Sequence, residues 1–324
     1  MAKGVKGDHC QQRKASGILS KRPEFIIQLF VSCLFFLVIT FFIRLDRIRT
    51  VFSQCNGYFL LGAVLLLPVI FLLRAYRWAW IINREERFFP IRDLFFLTLT
   101  GIALGFVTPG NLGEIGRSYF GTRAYGHREE MISSSVVDKL YGLFSLFLLA
   151  AITALPLSFF DYSILSLCLF FLLGIVLTAP NLFPWGKISQ LSARFVKRRL
   201  DAARMAEGFK LPFRRKLIVT LISLLSWLGT CFLFFLICLS FQSNVSFSYV
   251  LAVVPLVILA GLFPLTLGGF GSHEAATVYL FHRVGIPGEV ALLISLTFRL
   301  IFIVIPGVVG IYLVSLFKKR EAET

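Results

Sequence analysis

Charge is what this chain has least of. Charged residues make up 15% of its 324 positions and only 17 are acidic, whereas a soluble domain carries roughly 25%. With a mean hydropathy of +0.82, that scarcity excludes a disordered chain, a collagen-like fibre and an ordinary soluble enzyme. Cysteines are few and unpaired in sequence: Cys10, Cys33, Cys55, Cys168, Cys231 and Cys238 include no C-x-x-C. Most sit in apolar runs, where cysteine behaves as a small hydrophobe, so neither a disulfide framework nor a zinc site is implied. The histidines His9, His127, His273 and His282 are scattered, and no metal or cofactor is expected. There is no G-x-x-x-x-G-K-[ST], G-x-S-x-G or H-E-x-x-H, so no ATP motor, serine hydrolase or zincin is encoded. Enzymatic chemistry is expected only if it takes place among charges inside the membrane, and the chain reads as a transporter before an enzyme.

What is present is apolar. Hydrophobic residues reach 57%, with 36 phenylalanines. A membrane-spanning helix needs roughly 20 apolar residues, and the chain supplies several. Phe25–Ile43 follows a basic segment, 1–24, and has no small-residue cleavage site after it, so it reads as an uncleaved first span. Gly57–Leu73 is the second, with Arg74, Arg77 and Trp78 expected to mark the cytoplasmic interface by snorkelling. Met131–Leu157, Tyr162–Thr178, Leu217–Phe241 and Ala291–Phe317 are four more. Two runs are too short to cross. Leu94–Val107 ends in Thr108-Pro109-Gly110-Asn111-Leu112-Gly113, and Val250–Phe263 ends in Pro264-Leu265-Thr266-Leu267-Gly268-Gly269. Each is expected to enter the bilayer, break and return.

The expected architecture is thus all-α: about six full transmembrane helices plus two re-entrant broken-helix hairpins. Basic residues test it through the positive-inside bias. With a cytoplasmic N-terminus, 27 of the 33 Lys and Arg fall on the inner side, four fall outside, and Lys139 and Arg299 lie within apolar runs. Nucleic acid is not expected as a partner of the +16 charge. The expected organisation is a basic cytoplasmic N-terminus (1–24), a membrane domain (25–317) and a cytoplasmic tail (318–324), in the plasma membrane with both termini inside. The loop 187–216 fits a basic amphipathic helix on an anionic leaflet as well as it fits a solvated charge run.

The two breaks resemble each other. Pro109-x-x-Leu112-Gly113 recurs as Pro264-x-x-Leu267-Gly268, 155 residues later. Three full spans between them would make the hairpins enter from opposite faces, an inverted repeat of the kind that places a transporter site near mid-bilayer. A chance recurrence in an apolar chain competes with that reading. Broken helices expose N–H groups and a positive dipole end, which attract anions. Asn111 is expected to cap the first restarted helix, with Glu114 completing a capping box, and Ser272 to cap the second.

Six charges are expected in or beside the membrane-depth segments: Glu114, Arg117, Asp138, Lys139, Glu274 and Arg299. Burying them is costly enough that they should face a protected interior. One reading is a salt-bridge network that holds the hairpins. The other is a polar chamber, with Arg117, Lys139 and Arg299 on a phosphate and Glu114 and Glu274 on an amine, a sugar or a proton. Asn111, Glu114, Arg117, Asp138, Lys139, Ser272, Glu274 and Arg299 are the candidate substrate contacts. Pro109, Gly113, Pro264, Gly268 and Gly269 are the candidate breaks.

The blocks TPGNLGEIGRSYF (108–120), SSSVVDKLYGLFSLFLL (133–149), PLTLGGFGSHEAATVYLF (264–281) and FRLIFIVIPGVVGIYLV (298–314) resemble, in order, the motifs of the lysylphosphatidylglycerol synthase transmembrane family, the flippase-like domain proteins. Glu114, Arg117, Glu274 and Arg299 match that family's buried charges, and Asp138-Lys139 stands where an acidic-basic pair such as Glu-Arg is common. The resemblance implies a lipid translocase working without ATP hydrolysis. Its substrate would be an anionic, aminoacylated or glycosylated phospholipid, or a polyprenyl-phosphate lipid. The best-known members carry a cytosolic synthase domain, which this chain is expected to lack. A membrane subunit docking a glycosyltransferase or synthase, and an intramembrane headgroup transferase, are the rival functions. A homo-oligomer is compatible with all three.

Overall fold

The computed structural model describes residues 51, 53–83, 88–106, 108, 111–155, 160–179, 206–262, 266 and 268–312. The expected N-terminal segment, the first span Phe25–Ile43, most of the 187–216 loop, the tail, Pro109 and Pro264 lie outside these residues. Among them the structure is all-α, and five helices are long and apolar enough to cross a membrane.

Helix α1 (Gly57–Ile82) starts where Asn56 accepts the Tyr58 N–H on its side chain at 3.0 Å, satisfying an orphan helix-end donor. It does not stop at Leu73. Ala75, Trp78, Ile81 and Ile82 are buried one turn after another, and this apolar face carries the helix two and a half turns further. Tyr58, Leu61, Leu65, Val69 and Leu72 form the opposite, exposed face. Such an apolar surface is at home against lipid tails.

α1 packs along α6 (Phe213–Ser240). Small residues set the separation: a Cβ on Gly229 would sit 3.2 Å from Ile70, and one on Gly62 3.6 Å from Leu236. α4 (Arg128–Ala154) lies across this pair and also packs on α5 (Phe160–Thr178). Ser133, Ser134, Ser145, Ala150, Ala151 and Ala154 form its buried face. Large neighbours fill the space these small side chains leave. Trp78 Nε1 donates to Ser134 Oγ at 3.0 Å, and Trp227 Nε1 donates to the Gly142 carbonyl at 2.9 Å.

α2 (Ile91–Phe106) is followed by a 3₁₀ turn (Leu112–Gly116) and α3 (Arg117–Tyr125). The 3₁₀ turn folds back onto α2 so closely that a Cβ on Gly113 would lie 2.0 Å from the Leu104 carbonyl oxygen. Asn111 does not cap this turn. Its backbone is left-handed, φ 53°, and its side chain makes no capping bond. Thr108, three residues earlier, does the work instead: its Oγ1 accepts the Gly113 N–H at 2.6 Å. The Glu114 carboxylate is engaged by Lys139 instead of closing a capping box.

The second break has the same form. α7 (Phe247–Leu262) ends, a glycine-rich turn follows, and α8 (Ser272–His282) restarts. Gly269, at φ 69°, presses on α7, where a Cβ would meet the Gly261 carbonyl oxygen at 2.3 Å. Ser272 is not the cap either. The cap position is Gly271, at φ 89°, and the Glu274 carboxylate accepts its N–H at 2.6 Å. Ser272 Oγ instead donates to the Gly269 carbonyl at 3.2 Å. The last helix, α9 (Gly288–Tyr312), contains one π-helical stretch at Leu300–Val304, directly after Arg299. Beyond it, Gly310 lets α9 touch the α2 backbone at Leu99 and Thr100. The main apolar core lies among α1, α6, α7, α8 and α9.

Candidate functional site

The interior charges form three groups, two buried and one, Glu114 with Lys139, half-buried. In the first, Asp138 of α4 holds two guanidinium groups. Its Oδ1 accepts from Arg77 Nε at 2.6 Å and its Oδ2 from Arg117 Nη2 at 2.5 Å. Arg77 also donates to Ser223 Oγ at 2.9 Å, and Arg117 lies 3.9 Å over the Trp78 ring. All three side chains are buried. Arg77 and Trp78 are therefore interior residues and not interface markers: the uninterrupted α1 carries them past the expected boundary, opposite Asp138.

In the second group, Lys139 Nζ lies 2.7 Å from Glu114 Oε2 and 3.4 Å from the Asn111 carbonyl. In the third, Arg299 pairs with Glu274. Arg299 also donates to the Gly268 carbonyl at 2.9 Å and to that of Gly269, and covers the Phe270 ring at 4.8 Å. Glu274 meets the Gly271 N–H of the break and Arg299 meets the carbonyls of Gly268 and Gly269. The pair supplies the backbone partners that water would otherwise provide, which irregular backbone in an apolar interior requires.

Between the two breaks lies a cavity of about 110 Å³. Asn111 and Glu114 reach it from the first break and Gly268 and His273 from the second, with Lys139 from α4 and Arg299 from α9. Of the other expected contacts, Arg117, Asp138, Ser272 and Glu274 do not line it. They stand behind those that do: Asp138 orients Arg77 and Arg117, and Glu274 orients Arg299. Gly113 and Gly269 act by close packing.

Sequence reasoning missed three residues at this cavity: Arg77, already placed beside Asp138, Arg74 and His273. Arg74 sits among Phe71, Trp227 and Phe302, with its guanidinium carbon 4.9–5.6 Å from their centroids. Among the described residues it has no carboxylate within 4.0 Å and a single long hydrogen bond, to Ser226 Oγ at 3.4 Å. The signal for it was available: Arg74 and Arg77 are three apart on a helix whose apolar periodicity continues through Ile82. His273 carried no such signal, because nothing in a lone histidine distinguishes a cavity wall from a packed core.

The electrostatics follow from the pairing. Arg74, Arg77, Arg117, Lys139 and Arg299 supply five cations against the carboxylates of Glu114, Asp138 and Glu274. Among the described residues the cluster has two positive charges in excess. An excess of one sign away from water is expensive unless a counter-charge joins it, and Arg74, the cation with no carboxylate within 4.0 Å among the described residues, opens onto the cavity.

These features define an all-α, multi-pass membrane protein with a cation-rich interior hollow between two broken helices. The chain belongs to the lysylphosphatidylglycerol synthase transmembrane-region family, which matches residues 25–310. It is similar to a UPF0104 membrane protein of Methanocaldococcus jannaschii, 24% identical over 322 residues that cover 92% of this chain and 96% of the relative. A UPF0104 membrane protein of Methanothermobacter thermautotrophicus is 25% identical over 293 residues, covering 84% and 87%. A phosphatidylglycerol lysyltransferase of Staphylococcus aureus is 28% identical over 99 residues, 31% of this chain and 12% of that protein.

Proposed function

We propose that this chain is a lipid translocase that carries an anionic headgroup through the hollow between its two breaks while the acyl chains stay in the bilayer. The observation that carries the proposal is the excess of two positive charges around a cavity that both breaks line. An anionic headgroup supplies the missing counter-charge. Guanidinium suits it, since its planar fork matches phosphate oxygens. Arg74, Lys139 and Arg299 hold the anion, and Glu114, placed with Asn111 at the first break, meets any amine or hydroxyl on it.

In this proposal α2 with α3, and α7 with α8, are two re-entrant hairpins of an inverted repeat in the plasma membrane, with both termini cytoplasmic. That each break presses a glycine onto the helix before it, Gly113 on Leu104 and Gly269 on Gly261, supports the repeat. So does the way each break's acid, Glu114 or Glu274, pairs with a base on a long helix, Lys139 or Arg299. The partial match to a phosphatidylglycerol lysyltransferase supports a phospholipid substrate. The chain has no nucleotide-binding loop, so movement is downhill or ion-coupled.

The test is a scrambling assay in proteoliposomes with fluorescent anionic and zwitterionic lipids, read by dithionite quenching. Faster equilibration of the anionic probes than in protein-free vesicles is the expected result. Rates equal to the vesicle background for every lipid would overturn the proposal.

A further inference from the structure

Helix α9 is tied to both breaks. Its first half carries Arg299, which donates to the Gly268 and Gly269 carbonyls and pairs with Glu274, so this half belongs with the second break. Its last turns lie on α2. A Cβ on Gly310 would sit 2.5 Å from the Leu99 carbonyl carbon, and one on Gly307 3.5 Å from the Ala103 Cα. Thr100 Oγ1 donates to the Gly310 carbonyl at 3.3 Å. α2 in turn meets the first break, where Cβ atoms on Gly101 and Gly105 would each sit 3.0 Å from Glu114.

The two halves of α9 are joined by the π-helical turn Leu300–Val304, with Pro306 just beyond it. The proline accounts for the turn. In a regular α-helix its ring would press on the carbonyl four residues back, that of Phe302, and the wider π turn relieves that pressure. The relief costs hydrogen bonds. The Ile305 N–H goes to the Leu300 carbonyl, five residues back. The Ile301 carbonyl would take its donor from Ile305 in an α-helix and from residue 306 in a π-helix, and Pro306 has no N–H to give. Helices bend at prolines and π turns because their backbone ladder is interrupted there. α9 is thus packed at both ends and under-bonded between them.

Phe302 sits on this turn. It faces the Arg74 guanidinium at 4.9 Å, stacks on Phe298 at 5.0 Å, and lines the cavity beside Ile303. A bend here moves the wall of the hollow against Arg74.

We propose that Leu300–Pro306 is a hinge that couples the two breaks. Bending there swings the end of α9, with α2 and the first break, against the second break held by Arg299, and Phe302 opens and closes the cavity over Arg74. Two packed bodies joined by direct contacts and one bendable turn have the form of a hinge transition. What the movement accomplishes rests on the translocase reading; the movement itself does not.

Double electron–electron resonance on the full chain, in nanodiscs of phosphatidylcholine and phosphatidylglycerol, reads the hinge directly. Cys10, Cys33, Cys55 and Cys168 are replaced by serine, and the buried Cys231 and Cys238 stay. Nitroxides at Tyr279→Cys on α8 and Val308→Cys on α9 span the hinge, whereas Arg92→Cys on α2 and Val308→Cys lie on one side of it; all three positions are exposed. The Tyr279–Val308 pair should give two distances or one broad distribution, and the Arg92–Val308 pair a single narrow one. Pro306→Ala restores the missing N–H. It should collapse the Tyr279–Val308 distribution to one distance and keep or raise the melting temperature. It should also slow lipid equilibration in proteoliposomes roughly fivefold or more, the lower end of coupling between sites. Thr100→Val removes a tie between α9 and α2 and should broaden the Arg92–Val308 distribution, which repeats the test on another contact should Pro306→Ala fold poorly. A Tyr279–Val308 distribution as narrow as that of Arg92–Val308, or unchanged distances and rate in Pro306→Ala, overturns the hinge and leaves the translocase reading standing. Two distances across the hinge in a protein that equilibrates no lipid faster than empty vesicles support the hinge and overturn the translocase reading.

Discussion

Arg77 and Asp138 meet at 2.6 Å in the protein interior, from helices whose contacting residues are 61 positions apart in sequence. The same carboxylate holds Arg117 on its other oxygen. Removing it leaves two buried guanidinium groups without a counter-charge. Breaking a buried pair in this way costs roughly 3–5 kcal/mol. Asp138→Asn is therefore expected to lower the melting temperature in detergent sharply, with a matching loss of monodisperse protein on size exclusion. Wild-type thermal stability in that variant would mean that the triad does not tie α1, α3 and α4 together.

Arg74 should behave in the opposite way. Among the described residues it has no carboxylate to orphan, and its packing among Phe71, Trp227 and Phe302 can be largely kept by Arg74→Gln or Arg74→Met. Stability is expected to change by about 1 kcal/mol or less. The lipid equilibration rate should fall about tenfold or more, since a charge-assisted hydrogen bond contributes roughly 1.5–3 kcal/mol. Scrambling measured beside the melting curve of the same sample separates the two effects. A full transport rate with Arg74 neutralised would remove it from the site.

The turns make a prediction about glycine. At Gly269 a methyl would run into the Gly261 carbonyl and would also force a side chain onto φ 69°. At Gly113 it would run into the Leu104 carbonyl. Overpacking of this kind costs roughly 1–3 kcal/mol, and left-handed backbone adds about 1–2. Gly126, also at positive φ but with nothing within 4 Å, is the control: Gly126→Ala should lose only the backbone part. Comparable melting shifts at all three positions would show that close packing does not hold the breaks.

Thr108 and Asn111 can be told apart by one substitution at each. Thr108→Ala removes the acceptor of the Gly113 N–H and should cost about 1 kcal/mol, as lost caps do. Asn111→Gly relieves a left-handed backbone without removing a capping bond and should leave stability unchanged or slightly raised. Chemical denaturation followed by tryptophan fluorescence resolves differences of this size.

The class of the molecule was legible from residues alone because it depends on composition and local pattern. Apolar runs of the right length, the paired Pro-x-x-Leu-Gly breaks, and charges too costly to leave in lipid marked out the helices, the two interruptions and the polar interior. Glu114, Lys139 and Arg299 came out of that arithmetic and do line the cavity. Other assignments depended on which neighbour arrives from elsewhere in the chain. Arg77 reads as an interface residue until Asp138 and Ser223 are seen beside it. Asn111 and Ser272 read as caps until Thr108 and Glu274 are found doing that job. His273 had no sequence mark at all. Hydrophobicity and helix breaking act between residues a few positions apart and are written in the order of the chain. Pairing of buried charges arises from contacts between distant segments, and packing alone chooses those.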